Sequence, residues 1–398
     1  MAKNACQYYL PVKPALTKHD GNVTGMLCRK LSADGWNRIF LFHYFMTASA
    51  ISQQRLFNQH VHGTEFDSAK ELVHWMGAIQ AQDYQMAKYA IGVRLKKTTD
   101  QTIEDAINKG EIIRTHVLRP TWHFTAAEDI RWMLELTAKN LNRALSSNNK
   151  RLELDEKIFR KSNILIEKLL RGGKHLTRKE IMAALEKKGI KTDDLRASHI
   201  MFRAETDLVV CNGIKKDKQF TYALFDERIP STKKKTREEA LAELALRYFK
   251  SHGPATLQDF TWWSGLSVAD AKRGLEAIKS NLVSEKYGEY ILWFGADRDF
   301  KKKKNNPLVY LPSFDEFLIS YKSRRISINP EHTSHAFTNN GIFNPVIVHN
   351  AKVIGTWKPK FKKEVTIKEH FFINPTEKQK QLCKKAAKEF RKFTEVGK

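Results

Sequence analysis

The sequence predicts a modular protein of the α+β class, and three observations lead to that prediction. The chain has 398 residues, more than a single domain usually contains, so two to three domains are expected. Apolar residues make up 41% of it, and its 23 Phe and 8 Trp can fill buried cores, which excludes a disordered or collagen-like chain. Helical spacing of apolar residues alternates along the chain with pairs of short, strand-like segments.

The first block of regular patterning covers residues 46–150. Apolar residues recur at helical spacing in four short segments and one long one. The predicted helices span about 51–60, a segment that begins at the cap Asp67, 84–96, 102–108 and 127–146. Residues 111–118 and 121–125 alternate like two strands that meet near Pro120, which predicts a hairpin before the long helix.

Two further blocks, residues 151–232 and 233–300, repeat one order of elements. Each predicts three helices followed by a two-stranded hairpin. Thr177 and Thr236, each followed three residues later by Glu, are capping boxes, which mark the starts of helices. Three helices and a hairpin form the winged-helix layout, which the first block follows more loosely. The sequence therefore predicts three tandem winged-helix modules.

The last part of the chain changes character after a linker of four lysines. Short alternating segments at 346–348, 352–357 and 365–371 predict strands. Residues 307–375 are therefore expected to form a small antiparallel β-barrel-like domain. Residues 376–398 predict a closing helix with eight basic and three acidic residues, which is either a solvated tail or a clamp for phosphates.

The start of the chain differs from the rest. Residues 1–45 show no sustained periodicity, whereas Met46 opens a well-patterned stretch, so we expect an extension or a mis-assigned start. The four cysteines lie far apart, which predicts a reduced, cytoplasmic protein without a disulfide framework. No segment contains the roughly 20 consecutive apolar residues that a membrane span needs, so no membrane partner is expected.

The charge balance predicts a polyanionic partner. Lys and Arg number 69 against 44 Asp and Glu, an excess of +25. Such a chain repels itself unless it meets nucleic acid, an anionic membrane surface or an acidic protein. We favour nucleic acid, and the alternative is a lysine-rich surface that only keeps the protein in solution.

The second winged-helix module contains the clearest candidates for contacts with DNA. Arg196, His199 and Arg203 are spaced to share one face of its third helix, the helix that a helix-turn-helix places in the major groove. The turn of its hairpin contains three lysines, which can reach phosphates: Lys215, Lys216 and Lys218. The alternative is a protein-contact module with ordinary lysine turns.

Familiar catalytic signatures are missing from the sequence. The closest approaches to metal pairs, His60-x-His62 and His332-x-x-His335, lack a further ligand at suitable spacing, so neither a metal nor a cofactor is expected. One polar interruption stands between two predicted helices, at Gln80-Ala81-Gln82-Asp83. Its amides can orient a water molecule, or the segment can simply cap a helix.

Four segments together resemble a family of bacterial winged-helix DNA-binding proteins that includes the AlkZ-like and YcaQ-like DNA glycosylases of interstrand-crosslink repair. They are WMGAIQAQD (75–83), RTHVLRPTWHF (114–124), PSFDEFL (312–318) with YKSRR (321–325), and NGIFNP (340–345) through GTW (355–357). Each segment is a weak signal by itself, but four segments in the same order over some 300 residues are a specific match. The family fold, tandem winged helices followed by a small β-barrel, agrees with the prediction from patterning.

The resemblance implies a catalytic motif of glutamine, an apolar residue, and glutamine or aspartate. Gln80 and Gln82 match the AlkZ-like branch, in which they position the hydrolytic water and stabilise the deoxyribose. Asp83, Arg119 and His123 are candidates for supporting roles, and Asp83 is either the working carboxylate or a helix cap. Arg324 and Arg325 in the third segment are candidates for DNA contacts.

We therefore predict a monomeric, metal-independent, monofunctional DNA glycosylase. It is expected to hydrolyse the N-glycosidic bond of alkylated purines in double-stranded DNA, crosslinked purines being among the candidate substrates. N7-alkylated purines are cationic leaving groups, so cleavage passes through an oxocarbenium-like state without a strong acid. The alternative is a non-catalytic winged-helix DNA-binding protein such as a transcription regulator, and a module that binds acidic proteins is a third interpretation.

Overall fold

The structure, a computed structural model, describes residues 46–61, 65–193, 195–217, 219–296, 308–361 and 364–395. The predicted extension 1–45, Lys218 of the predicted wing and the lysine linker lie outside these ranges. The elements below belong to one compact unit, Thr47–Lys398. Among the described residues, no helix combines the length and the apolar composition that crossing a membrane requires.

The first block combines short helices with a three-stranded sheet. Its elements are α1 (Ala48–Asn58), α2 (Ala69–Met76), β1 (Ile79–Gln80), α3 (Tyr84–Gly92), α4 (Asp100–Lys109), β2 (Ile112–His116), β3 (Trp122–Ala126) and α5 (Ile130–Arg151). The first four helices start where a side-chain oxygen accepts a backbone N–H group, as Asp83 does from Met86. The sheet is antiparallel in the order β1-β3-β2. The predicted hairpin is confirmed, and β1 is an element that the sequence did not predict.

The same order of elements recurs in the second block. It consists of α6 (Glu156–Leu170), β4 (Leu176–Thr177), α7 (Arg178–Glu186), α8 (Arg196–Thr206), β5 (Val210–Asn212), β6 (Thr221–Leu224) and α9 (Phe225–Arg228). Its strand order, β4-β6-β5, matches that of the first sheet. The capping box at Thr177 is confirmed, because its side chain and that of Glu180 exchange hydrogen bonds with backbone N–H groups.

The third block contains α10 (Arg237–Ser251), α11 (Leu257–Ser264), α12 (Val268–Ile278), β7 (Leu282–Tyr287) and β8 (Tyr290–Gly295). The capping box at Thr236 is confirmed. An isolated bridge between Ala255 and Trp293 occupies the place that β1 and β4 have in the other sheets. Each block thus joins a short leading strand to the last strand of its hairpin.

The predicted barrel-like domain is instead an open sheet. Its elements are β9 (Val309–Leu311), α13 (Glu316–Ile319), α14 (Thr333–Ala336), β10 (Val346–His349), β11 (Lys352–Phe361) and β12 (Val365–Phe371), and the strand order is β12-β11-β10-β9. The two edge strands do not pair with each other in the described part of the chain. Closure is unnecessary because helices cover the apolar side chains, with the Trp357 ring 4.8 Å from that of Phe390.

The closing helix, α15 (Glu377–Thr394), is packed rather than a free tail. Its buried side chains include Phe390 and Phe393, and the Tyr89 ring of α3 lies 4.7 Å from that of Phe390. A Cβ on Gly92 would come within 2.3 Å of Phe393, so the glycine permits this close approach. The expectation of a solvated tail is therefore wrong for the apolar face, and a role of its lysines as a phosphate clamp stays a prediction.

A buried ion pair ties the first block to the C-terminal sheet domain. Both Nη atoms of Arg94 lie 2.8 Å from the carboxylate oxygens of Asp315, and the two side chains are 0% and 1% exposed. Asp315 also accepts the backbone N–H of Phe317 at 2.9 Å and so caps α13. Removal of one partner would leave the other charge buried without compensation.

We expect Asp315→Ala to lower the free energy of unfolding by about 3–5 kcal/mol, because Arg94 would remain buried without its carboxylate. Denaturation by urea, followed by circular dichroism, measures this change. Asp67→Ala is the matched control, because the carboxylate of Asp67 is 78% exposed in its pair with Lys96, and we expect no measurable change. Equal midpoints for Asp315→Ala and the wild type would contradict a structural role of the buried pair.

Candidate active site

Gln80 lies at the end of β1, where pairing with β3 places it opposite His123. Its side chain is buried, and its Oε1 accepts hydrogen bonds from Arg119 Nη2 at 2.9 Å and from Thr121 Oγ1 at 3.4 Å. A guanidinium can only donate, so the amide oxygen must face Arg119. The NH₂ group of Gln80 therefore faces the other way, and no described residue hydrogen-bonds to it.

Gln82 lies two residues further on and is exposed. Its Oε1 accepts the backbone N–H of Trp122 in a long hydrogen bond of 3.4 Å. The intervening Ala81 is held at both backbone groups: its N–H donates to Trp122 O at 2.7 Å, and its carbonyl accepts Arg114 Nε at 3.1 Å and Nη2 at 2.9 Å. The two glutamines therefore extend from a backbone that β3 and Arg114 hold in place.

Asp83 performs the capping role that was one of its two predicted alternatives. Its Oδ1 accepts the backbone N–H of Met86 at 3.2 Å, and its Oδ2 accepts Ser313 Oγ at 3.0 Å. The carboxylate thus starts α3 and holds the segment before α13 beside the glutamines. A direct catalytic role for Asp83 stays a prediction.

His123 is fully buried and uncharged. Its Nδ1 lies 2.9 Å from Thr121 O, a carbonyl that can only accept, so Nδ1 carries the proton. Burial, and next the positive charge of Arg119, lower the pKa of His123 to about 3. A histidine with so low a pKa is neutral at physiological pH and has no proton at Nε2 to donate as an acid. A supporting role for His123 stays a prediction.

Glu316 is the site residue that the sequence analysis missed. This fully buried carboxylate accepts the backbone N–H of Gln80 at 2.7 Å through Oε1, and Oε2 accepts Trp263 Nε1 at 3.2 Å and the hydroxyl of Ser320. His252 Nε2 lies 3.4 Å from the same oxygen. Burial by itself raises the pKa of Glu316, but the neighbouring His252, and next the Ser320 hydroxyl and the Gln80 N–H, hold it at about 2.

The sequence contained a signal for Glu316. It is one of two acidic residues within the otherwise apolar run from Phe314 to Ile319, a position where a charge requires partners. The partners themselves could not be predicted, because Gln80 lies 236 residues away in sequence.

The three side chains of the predicted basic face of α8 all have partners within the chain. Arg196 Nε donates to Lys191 O at 3.0 Å, and His199 Nδ1 lies 2.5 Å from Asn149 Oδ1. Arg203 pairs with Glu156 and Asp207 at 2.7 and 2.8 Å. The face thus packs against α5 and α6, and contact of these residues with DNA stays a prediction.

The remaining candidates differ in exposure. Lys215 Nζ lies 3.4 Å from Glu104 Oε2 and so joins the wing of the second block to α4, whereas Lys216 is exposed. Arg324 is half-buried, and Arg325 beside it is exposed. Among the described residues, no group of three His, Cys, Asp or Glu side chains is placed to hold a metal ion.

The chain is similar to DNA glycosylases in sequence and in structure. Residues 73–393 match the model of the family described as DNA glycosylase AlkZ-like. An interstrand DNA cross-link repair glycosylase of Streptomyces sahachiroi is 22% identical over 313 residues, which cover 73% of this chain and 82% of that protein. The solved structure of the Streptomyces sahachiroi DNA glycosylase AlkZ matches with a TM-score of 0.73 and 18% identity, over 87% of this chain and 95% of that one. The structural likeness shows a shared fold.

We expect the stability of the protein to fall with acidification partly because of His123. An unfolded histidine takes up a proton as pH falls through 6.5, whereas folded His123 stays neutral down to about 3. The contribution of neutral His123 to the free energy of unfolding is therefore complete above pH 6.5 and is lost progressively as pH falls below that value. Between pH 7.5 and 5 the free energy of unfolding should fall by about 2 kcal/mol more in the wild type than in His123→Asn. In that variant the side-chain amide can replace Nδ1 as the donor to Thr121 O.

Urea denaturation at a series of pH values measures both proteins. The other histidines are common to the two proteins and cancel in the comparison. Parallel stability curves would show that folded His123 takes up its proton near the ordinary pKa and would contradict the neutral assignment.

Proposed function

The chain belongs to the AlkZ-like DNA glycosylase family, and we propose that it hydrolyses the N-glycosidic bond of alkylated purines in double-stranded DNA without cleaving the strand. The resemblance predicted from four sequence segments is thereby confirmed at the level of the family. The observation that supports the activity best is the pair Gln80 and Gln82, held by Arg119, Arg114 and the buried carboxylate of Glu316.

The three blocks with a common element order are best interpreted as tandem winged-helix modules. In each, a leading strand or bridge pairs with the last strand of the hairpin. Such modules contact DNA through helices, wings and helix termini, mostly at phosphates. With a net charge of +25, we expect binding that weakens steeply with salt and reads little sequence.

The proposed mechanism needs oriented dipoles rather than a strong acid. The NH₂ group of Gln80 can donate to the oxygen of the attacking water, because its carbonyl is occupied by Arg119. The carbonyl of Gln82 has only a long hydrogen bond and can accept a hydrogen bond from that water or face the developing sugar cation. Once the water oxygen has bonded to the sugar carbon, its proton passes to solvent. Ionised Glu316 behind Gln80 adds negative potential, and the cationic purine leaves without protonation.

The alternative, a non-catalytic winged-helix regulator, predicts side chains free to read bases. The third helix of the second block, α8, offers few, because Arg196, His199 and Arg203 are occupied within the chain. We therefore favour the enzyme, acting as a cytoplasmic monomer on DNA, and our mechanism uses no metal or cofactor.

We expect Gln80→Ala together with Gln82→Ala to lower the rate of base excision by roughly 10²–10³-fold, because the oriented amides that stabilise the transition state are removed. Single-turnover excision on a duplex with one N7-alkylguanine, with alkali to reveal abasic sites, measures the rate. Gln101→Ala, an exposed glutamine on α4, is the matched control and should excise at the wild-type rate.

Binding of each protein to the same duplex must be measured in parallel. A double variant that binds normally and does not excise supports the assignment of both glutamines. A wild type that binds the duplex and excises neither simple nor bulky adducts would contradict the glycosylase proposal and favour the regulator.

We also expect Glu316 to act as a positioning residue for Gln80. Glu316→Ala should lower the maximum excision rate by roughly 10²-fold with little change in DNA affinity, because a small displacement of Gln80 misplaces the water. Glu316→Gln keeps an acceptor for the Gln80 N–H and should recover part of the rate. Glu167→Gln, in an exposed ion pair of α6, is the matched control. Equal losses in rate for Ala and Gln with normal folding would contradict positioning through this hydrogen bond.

A further inference from the structure

Two guanidinium groups lie along α11, and one of them, that of Arg119, contacts Gln80. The side chain of Arg119 contacts the end of this helix, where a Cβ on Gly265 would lie 3.4 Å from Arg119 Cγ. The guanidinium carbon of Arg324 lies 5.5 Å from the ring centre of Trp262, three residues earlier. Residues three apart share one face of a helix, so α11 places both arginines on the same side of the candidate site.

Neither arginine has a carboxylate partner. Arg119 donates from Nη2 to Gln80 Oε1, while its buried Nε has no hydrogen-bond partner. Arg324 donates from Nε to Leu318 O at 3.0 Å and from Nη1 to Lys322 O at 3.3 Å. Across the described residues, neither side chain is in an ion pair within 4.0 Å.

The nearby carboxylates are already occupied. Glu316 accepts hydrogen bonds from Gln80 and Trp263, and Asp259 accepts the backbone N–H groups of Thr256 and Lys322 at 3.0 and 2.9 Å. Burial, and next the charge of Arg119, lower the pKa of Arg324 to about 10. Glu316 and Asp259 thus offset the two charges only from a distance, and among the described residues neither cation is in a direct ion pair. The two cations repel each other, an arrangement that an external anion would relieve.

We propose that Arg119 and Arg324 together bind one phosphodiester of the substrate, the phosphate on one side of the lesion nucleotide. The inference rests on the proposed function, because that function places the deoxyribose of the lesion next to Gln80. The phosphates attached to that sugar are then the anions closest to Arg119. Guanidinium groups bind phosphate oxygens through paired N–H donors, and Arg324 is held in orientation by aromatic rings such as Phe337, 4.8 Å away.

The phosphate also has an electrostatic consequence for the reaction. The positive charges of Arg119, which contacts Gln80, and of Arg324 near it disfavour a positive charge on the sugar. A bound phosphodiester neutralises them, so that the field of Glu316 and of the Gln82 carbonyl acts on the oxocarbenium ion. Because Arg119 bonds both the phosphate and Gln80, DNA binding and orientation of the catalytic amide are coupled.

A double-mutant cycle between protein and DNA tests the proposal. The probe is a duplex with one N7-alkylguanine on a 2′-fluoro sugar, which slows cleavage because the electron-withdrawing fluorine destabilises the oxocarbenium ion. A neutral methylphosphonate replaces the phosphate 5′ or 3′ of the lesion. Fluorescence anisotropy measures Kd for the wild type, Arg324→Ala, Arg324→Lys and the control Arg171→Ala, an exposed arginine that pairs with Glu167.

We expect the methylphosphonate to weaken wild-type binding about tenfold at one of the two positions. Arg324→Ala should bind the unmodified probe about tenfold more weakly than the wild type, and the methylphosphonate should weaken its binding little further. The affinity of Arg324→Lys should lie between those of the wild type and Arg324→Ala. Arg171→Ala should show the full loss of the wild type. The methylphosphonate changes only the DNA, so its effect on wild-type binding does not depend on whether any protein variant folds. Thermal unfolding shows whether each protein variant is folded.

Equal wild-type Kd values for all three probes would overturn the proposal. It would also be overturned if the methylphosphonate raised the Kd of Arg324→Ala by the same factor as that of the wild type, because the two changes would then be independent. Excision of the same duplex with an ordinary deoxyribose is measured separately. If it is not cleaved, the glycosylase proposal fails, while the binding cycle still decides whether the two arginines hold a phosphate.

Discussion

The carboxylate of Glu316 is the group on which the geometry of the candidate site depends. It accepts the backbone N–H of Gln80 while Trp263 of α11 and Ser320, just after α13, donate to its second oxygen. Three segments distant in sequence therefore meet at one buried charge. Because an ionised carboxylate without these donors would be too costly to bury, the position of each segment constrains the others.

Two adjacent acidic residues, Asp315 and Glu316, have different partners and different roles. Asp315 pairs with Arg94 and joins the C-terminal sheet domain to the first block, whereas Glu316 faces the backbone of Gln80. The start of α13 thus provides both the contact between the domains and the carboxylate that lies behind Gln80. Asp83 adds a third link, because its carboxylate starts α3 and accepts Ser313. The motif is consequently rigid in its backbone, although the side chain of Gln82 is exposed.

Two of the sequence predictions depended on packing that local patterns do not encode. The spacing of Arg196, His199 and Arg203 correctly places them on one face of a helix, but periodicity does not tell whether water or another helix covers that face. Likewise, alternating strands near the C-terminus predicted a sheet, but not whether it closes. Here α15 and α3 cover its apolar residues, and the sheet stays open.

The features that depend on short-range interactions could be predicted from the amino-acid sequence: the helix caps at Thr177 and Thr236, the amphipathic helices, the hairpins, and the Gln80–Gln82 motif with its family. Capping and periodicity act within a few residues, so they can be read locally. Long-range packing, in contrast, places Gln80 at the end of a strand, lets Arg119 orient its amide, and brings Glu316 behind it. Those partners are 39 and 236 residues away in sequence, and only packing of the blocks brings them within hydrogen-bonding distance.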